Sequence, residues 1–164
     1  MSFKQNVEQH LQHFAQSIGL GELKLNEHDA CGLCFDDTLI VNMEYLEDDE
    51  ALVFVASVRP VDAHDSAKSE LFEKMLAMNL QHHSMQGAFL SLNHDKTEIL
   101  LIRSVQASCD YGSFESTLEK FVNTLEWCVG ELDKSKQDQP PTPVNPPPRP
   151  QGGPGGPGDL GMMV

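Results

Sequence analysis

Apolar residues recur every three or four positions at the start of the chain, at Phe3, Val7, Leu11, Phe14 and Ile18, which is the spacing of one helical face. Ser2 followed by Gln5 fits a capping box at the entry, and Gly19 and Gly21 suit the exit. The period then falls to two. Leu23 and Leu25 alternate with Glu22, Lys24 and Asn26, predicting a half-buried strand that begins a sheet and lies at its edge. Ala30–Phe35, Thr38–Leu46 and Ala51–Val58 continue the series. Within them Leu39, Val41, Met43 and Tyr45 share one face, as do Leu52, Phe54, Ala56 and Val58. Links as short as Asp36-Asp37 and Glu47–Glu50 require antiparallel pairing, so the four segments predict a strand meander.

Pro60 ends the strand region, and Asp65 or Ser66 is placed to cap a second helix marked by Leu71, Phe72, Met75, Leu76, Asn79 and Leu80. A polar loop closes on Gly87. Ala88–Asn93 and Glu98–Gln106 then read as a hairpin turning at Asn93-His94-Asp95-Lys96. Ile99, Leu100, Leu101 and Ile102 are consecutive and apolar, so both faces of that strand need cover. Few elements remain to cover the second face, and another copy of the chain is the economical source. Ser113 is positioned to cap a last helix with the stripe Phe114, Leu118, Phe121, Val122, Leu125, Val129 and Leu132, Trp127 lying off its centre. The pattern therefore predicts an α+β fold in the order helix, antiparallel meander, helix, strand hairpin, helix, assembled as a homodimer.

Composition changes at Gln137, beyond which fall nine of the ten prolines, interspersed with glycines. This divides the chain into a folded domain over residues 1–136 and a disordered, polyproline-like tail over 137–164. Pro147-Pro148-Arg149-Pro150 has the form of an SH3-type ligand, but a plain tail or weak recruitment segment is the simpler expectation. A formal net charge of −14 repels nucleic acid and anionic membranes alike, and both are excluded as partners. The first residues show no signal-peptide pattern, and the longest apolar run, Ala51–Val58, is far below the ~20 residues of a membrane span. A cytoplasmic protein with four free thiols follows.

Candidate chemistry is sparse. Cys31-Gly32-Leu33-Cys34 has the C-x-x-C form, but on an extended strand its two sulfurs point to opposite faces, and Cys109 and Cys128 add no second pair with zinc spacing. Two buried thiols are expected. His10 and His13 lie one turn apart without a third ligand and read as surface residues; His82-His83 read as solvated. The carboxylates of Asp36, Asp37 and Glu47–Glu50 lack calcium-loop spacing, leaving charged turns that can position a basic segment. Phosphate-loop, dinucleotide, nucleophile-elbow and zincin motifs are all missing from the sequence. We expect no enzyme, no metal and no cofactor, but a binding protein.

One order of segments carries a resemblance: MLAMN, a glycine, AFLSLN, a charged turn, ILLIRSV, and a long helix ending in a tryptophan, between Lys74 and Leu132. It resembles the CesT-like (Tir chaperone) family of small acidic chaperones serving bacterial type III secretion, over about residues 1–134. The resemblance implies binding of the N-terminal region of secreted effectors, held extended and ready for export, with the secretion ATPase as a further partner. An alternative within the fold is a regulator that sequesters a secretion or transcription control factor. Family dimers form through the second helix and adjacent strands, which implies an interface at Met75, Met78, Leu80, Phe89 and Leu101. Effector contacts fall on the first helix and opening strands, which implies a cargo site at Val7, Leu11, Phe14, Leu23, Leu25, Leu33 and Phe35.

Overall fold

The chain begins on the capping box its sequence encodes. Ser2 Oγ accepts from the Gln5 amide at 3.2 Å, and Gln5 Oε1 accepts from the Ser2 amide at 3.0 Å, opening helix α1 (Phe3–Ser17). In this computed structural model, which describes residues 1–134, there follow β1 (Ala30–Phe35), β2 (Leu39–Leu46), β3 (Ala51–Pro60), α2 (Lys68–Met78), the short α3 (His82–Met85), β4 (Phe89–Leu92), β5 (Glu98–Gln106) and α4 (Tyr111–Lys134). The Pro/Gly-rich segment 137–164 lies outside the described residues.

The five strands form one antiparallel sheet in the order β1-β2-β3-β5-β4. Helix α4 lies across β2, β3 and β5, and α1 and α2 pack against it. The two-residue period decides what enters the core. Val41, Met43 and Tyr45 of β2, Leu52, Phe54, Ala56 and Val58 of β3, and Ile99 and Leu101 of β5 are buried. On α4 the matching stripe is Phe114, Leu118, Phe121, Leu125, Cys128 and Leu132. Phe54 meets Phe114 and Phe121 with ring centroids 6.2 and 5.6 Å apart. All three rings are almost fully buried, and truncating any one to alanine would cost about 3–5 kcal/mol.

Several local expectations need correction. Residues 22–26 are not a strand, so the meander has three strands and the edge of the sheet is β1. Leu23 and Leu25 are nonetheless buried, so the alternation was sound. What it could not show is that the backbone leaves the ladder: Asn26 Oδ1 accepts from the His28 and Ala30 amides, and the chain turns back through Asp29 at φ 57°. Neither Asp65 nor Ser66 caps α2. Asp65 Oδ1 accepts from the Ala67 amide in the preceding turn, and the helix starts at Lys68, one or two residues later than expected. It also stops at Met78, and the loop before Gly87 contains α3. For α4 the cap is Asp110, whose Oδ1 accepts from the Ser113 amide at 2.9 Å. Those hydrogen bonds from Ser113 hold the Asp110 carboxyl below its ordinary value.

His10, expected at the surface, is buried. Its Nε2 lies 2.8 Å from the Cys109 carbonyl oxygen, which can only accept, so Nε2 carries the proton. Asn6 Nδ2 donates to the Ala107 and Cys109 carbonyls, and the His13 ring stacks on Tyr111 at 3.9 Å. These contacts lock α1 to the turn between β5 and α4, tying the first element of the fold to the last. Gly87 fills a different need. It sits at φ 86°, beside Arg103, where a Cβ would come within 3.5 Å of the guanidinium.

Candidate functional site

The sheet has two edges, and side chains treat them differently. At β4, Asn79 closes the edge: its Oδ1 accepts from the Leu90 amide at 2.7 Å and its Nδ2 donates to the Leu90 carbonyl at 3.1 Å, as a neighbouring strand would. At β1 the ladder alternation turns the backbone groups of Ala30, Gly32 and Cys34 away from β2. Asn26 satisfies Ala30, its amide donating to the Ala30 carbonyl and its side chain accepting from the Ala30 amide. Gly32 and Cys34 meet no such partner among the described residues. The edge is open over the second half of β1.

Beside that stretch runs an apolar groove of about 320 Å³ between the end of α1, the end of β1 and the middle of α4. Phe14, Phe35, Leu118 and Val122 form its walls, and Glu115, Glu119 and Asn123 its α4 rim. The Phe14 and Phe35 ring centroids are 6.5 Å apart. A strand added along β1 would direct alternate side chains toward these walls. An open ladder beside an apolar trough has the geometry to accept an extended peptide.

The expected cargo residues divide accordingly. Phe35 and Phe14, the latter also a core residue at 8 % exposure, line the groove. Val7, Leu11, Leu23, Leu25 and Leu33 belong to the hydrophobic core, each at 8 % exposure or less. The α4 wall was not anticipated: Leu118 and Val122 were read only as helix stripe, although a stripe that broad was itself a sign of a second apolar face. Of the expected interface residues, Met75, Met78 and Leu101 are buried within the single chain, whereas Leu80 and Phe89 are 76 % and 49 % exposed, near the equally bare Leu76. On β5 the apolar run divides by face, with Ile99 and Leu101 inward and Leu100 and Ile102 half-buried on the other side.

The cysteines do not converge. Cys31 and Cys34 point to opposite sides of β1, as the strand period requires, but Cys34 is exposed, against the expectation of two buried thiols. Burial pushes the Cys31 thiol up to about 11 and the Cys128 thiol up to about 12. Among the described residues no group of three or more His, Cys, Asp or Glu could hold a metal ion, and no helix is long and apolar enough to cross a membrane.

The chain is a small α+β protein with an apolar groove beside an open sheet edge. The sequence pattern of the Tir chaperone protein (CesT) family matches residues 9–127, and the chain belongs to that family. Among solved structures it is similar to a chain of the ExsC–ExsE complex, at 24% identity and TM-score 0.69, covering 80% of this chain and 97% of that one. It is also similar to a chain of the HopA1–SchA chaperone–effector complex, at 18% identity and TM-score 0.61, covering 79% and 95%. A third likeness is to a chain of the complex between the Yersinia pestis type III secretion chaperone SycH and a stable fragment of YscM2. It has 19% identity and TM-score 0.52, and covers 77% and 99%. Among curated proteins no sequence matches the chain.

Proposed function

We propose that this protein is a cytoplasmic type III secretion chaperone that binds the N-terminal region of one or more effectors and holds it extended for export. The observation that carries the reading is the coincidence of an open ladder at Gly32 and Cys34 with the groove walled by Phe14, Phe35, Leu118 and Val122. Membership of the Tir chaperone family supports it, as do the chaperone–effector complexes among its structural likenesses. Backbone pairing would give affinity with little dependence on cargo sequence, and the groove would choose the alternate side chains. The protein acts as a binder, not an enzyme, with residues 1–136 as the working domain and the secretion ATPase as a later partner for the loaded complex.

The assembled form we propose is a homodimer. Leu76, Leu80 and Phe89 expose a patch formed by α2, the loop after it and β4. The stretch Lys74–His94 contains no Asp or Glu, although the chain has 25 of them. A chain of net charge −14 meets less repulsion when it self-associates through a long acid-free stretch such as this one. Light scattering should give about twice the chain mass of 18.2 kDa, and a Leu80→Glu/Phe89→Glu variant should run as a folded monomer. A wild-type monomer at micromolar concentration removes this part of the reading.

Cys34→Pro tests the groove. Its amide faces outward, so proline deletes no bond of the β1–β2 ladder but denies one to an added strand. The variant should keep its melting temperature within a few degrees and lose cargo co-purified from a native lysate. Full cargo retention in a folded variant would place the site elsewhere. A stable partner that is itself never secreted would mark the protein as a regulator instead of an export chaperone.

A further inference from the structure

We infer that the groove selects its occupant by charge as well as by apolarity, accepting extended segments in which Lys or Arg alternate with apolar residues. The inference rests on the groove reading above and specifies the chemistry of the segment.

The α4 rim carries carboxylates without an ion pair among the described residues. Glu115 and Glu119 stand on the α4 rim, one turn apart. That places them about 6 Å apart along the helix, close to the ~6.8 Å between alternate residues of an extended strand. Cations two residues apart in a bound strand can therefore face both. Glu119 has no hydrogen bond or ion pair among the described residues, and Glu115 only accepts from the Tyr111 hydroxyl at 3.0 Å. Asp36 and Asp37 directly follow the groove residue Phe35 in the chain, in the turn after β1, and both sit in the left-handed region, at φ 50° and 58°. They too lack an ion pair among the described residues. The Lys and Arg residues that do pair with carboxylates, Lys4, Lys24 and Lys134, do so with Asp29, Glu22 and Glu131.

Two carboxylates therefore line the apolar trough and two more follow its Phe35 wall in the chain, and none of the four has an ion pair among the described residues. Their field is concentrated at the low-dielectric walls and raises the local concentration of cationic segments. An uncharged segment would gain only the groove and the ladder, and an acidic one would be repelled. Because the rim is exposed, the preference should appear mainly in association rate and should weaken as salt screens it.

Fluorescence anisotropy on the full chain, with three synthetic peptides of equal length, tests this. All three share alternating Leu and Val, and the intervening residues are Lys, Ser or Glu. At low salt the Lys peptide should bind about tenfold tighter than the Ser peptide, and the Glu peptide weakest. The advantage should disappear in Glu115→Gln/Glu119→Gln. It should persist in Asp48→Asn/Asp49→Asn, which removes equal charge at the opposite end of β2. Equal binding of the Lys and Ser peptides, both lost in a folded Val122→Asp variant, overturns charge selection and leaves the groove reading standing. Equal loss of the advantage with the remote pair also overturns it, showing only the overall field of the protein. If no peptide binds, or Val122→Asp changes nothing, the groove reading fails together with this inference.

Discussion

Removing the Asn79 side chain should both weaken the fold and open its second edge. Asn79 makes two hydrogen bonds to the backbone of Leu90, at 2.7 and 3.1 Å, in a partly buried setting. At about 1 kcal/mol net for each, Asn79→Ala loses about 2 kcal/mol. Asn79 is also the C-cap residue of α2 with helical dihedrals, so the better helix propensity of alanine returns about 0.5 kcal/mol. The balance is about 1.5 kcal/mol. Spread over the 134 described residues, this lowers the melting temperature by about 5 °C at fixed protein concentration. Asn79→Asp provides the internal control. It keeps the acceptor for the Leu90 amide but sets a second oxygen against the Leu90 carbonyl, so it should cost at least as much as alanine. Urea denaturation gives the free energy, and hydrogen exchange should show the Leu90 amide losing protection ahead of its β5 partner Leu101. A loss below about 0.5 kcal/mol, or an unchanged Leu90 exchange rate, would show that the pair contributes nothing beyond what water supplies. The argument for a closed β4 edge would then fail.

Thiol reactivity should follow the strand faces: at pH 8 a disulfide reagent should modify exposed Cys34 first and leave Cys31 and Cys128, with thiols near 11 and 12, largely unreacted until urea is added. Reaction of Cys31 at the rate of Cys34 would contradict the facing of β1. Deleting residues 138–164 should shift the melting temperature by no more than a few degrees, since a Pro/Gly-rich composition buries little apolar surface. A larger fall would show that Met162-Met163-Val164 docks on the domain.

What could be read from the chain was what depends on period. The α1 stripe, the facing residues of β2 and β3, the hairpin β4–β5 and the α4 stripe all come from repeats of 3.6 or 2, and burial follows them through the middle of each element, although Phe3 and Ile18 at the two ends of the α1 stripe are exposed. The failures have another origin. In residues 22–26 the alternation correctly buries Leu23 and Leu25, but side-chain alternation is silent on whether the backbone pairs; the Asn26 side chain decides that by capping Ala30. The caps shifted for a similar reason, because Asp65, Asp110 and Ser113 are all competent acceptors and only the path of the chain selects among them. His10 was misplaced because a polar residue on a helix reads as exposed, until a carbonyl more than ninety residues away in sequence satisfies it. For the groove, the α1 and β1 walls were partly legible in Phe14 and Phe35. Leu118 and Val122 were not, since assigning a stripe residue to core or groove requires knowing which element stops short of it.

The two edges explain how one sheet can be kept for binding without becoming a hazard. An exposed strand pairs with any extended chain, including other copies of itself, and natural sheets restrict this at a cost in sequence. Here β4 is closed at Leu90 by an asparagine from α2, and β1 is closed at its start by Asn26, which leaves β1 open at Gly32 and Cys34 among the described residues. That opening adjoins the Asp36-Asp37 turn and the Glu115 and Glu119 rim, so a second copy of this acidic edge would bring like charges together. The same carboxylates that favour a cationic visitor thus discourage edge-to-edge pairing of the protein with itself. The acid-free stretch Lys74–His94, carrying Leu80 and Phe89, is left as the face on which self-association meets no such barrier. If the proposed homodimer and groove hold, charge placement would separate the two kinds of contact, with self-association on the Leu80 and Phe89 side and the extended partner at the β1 edge.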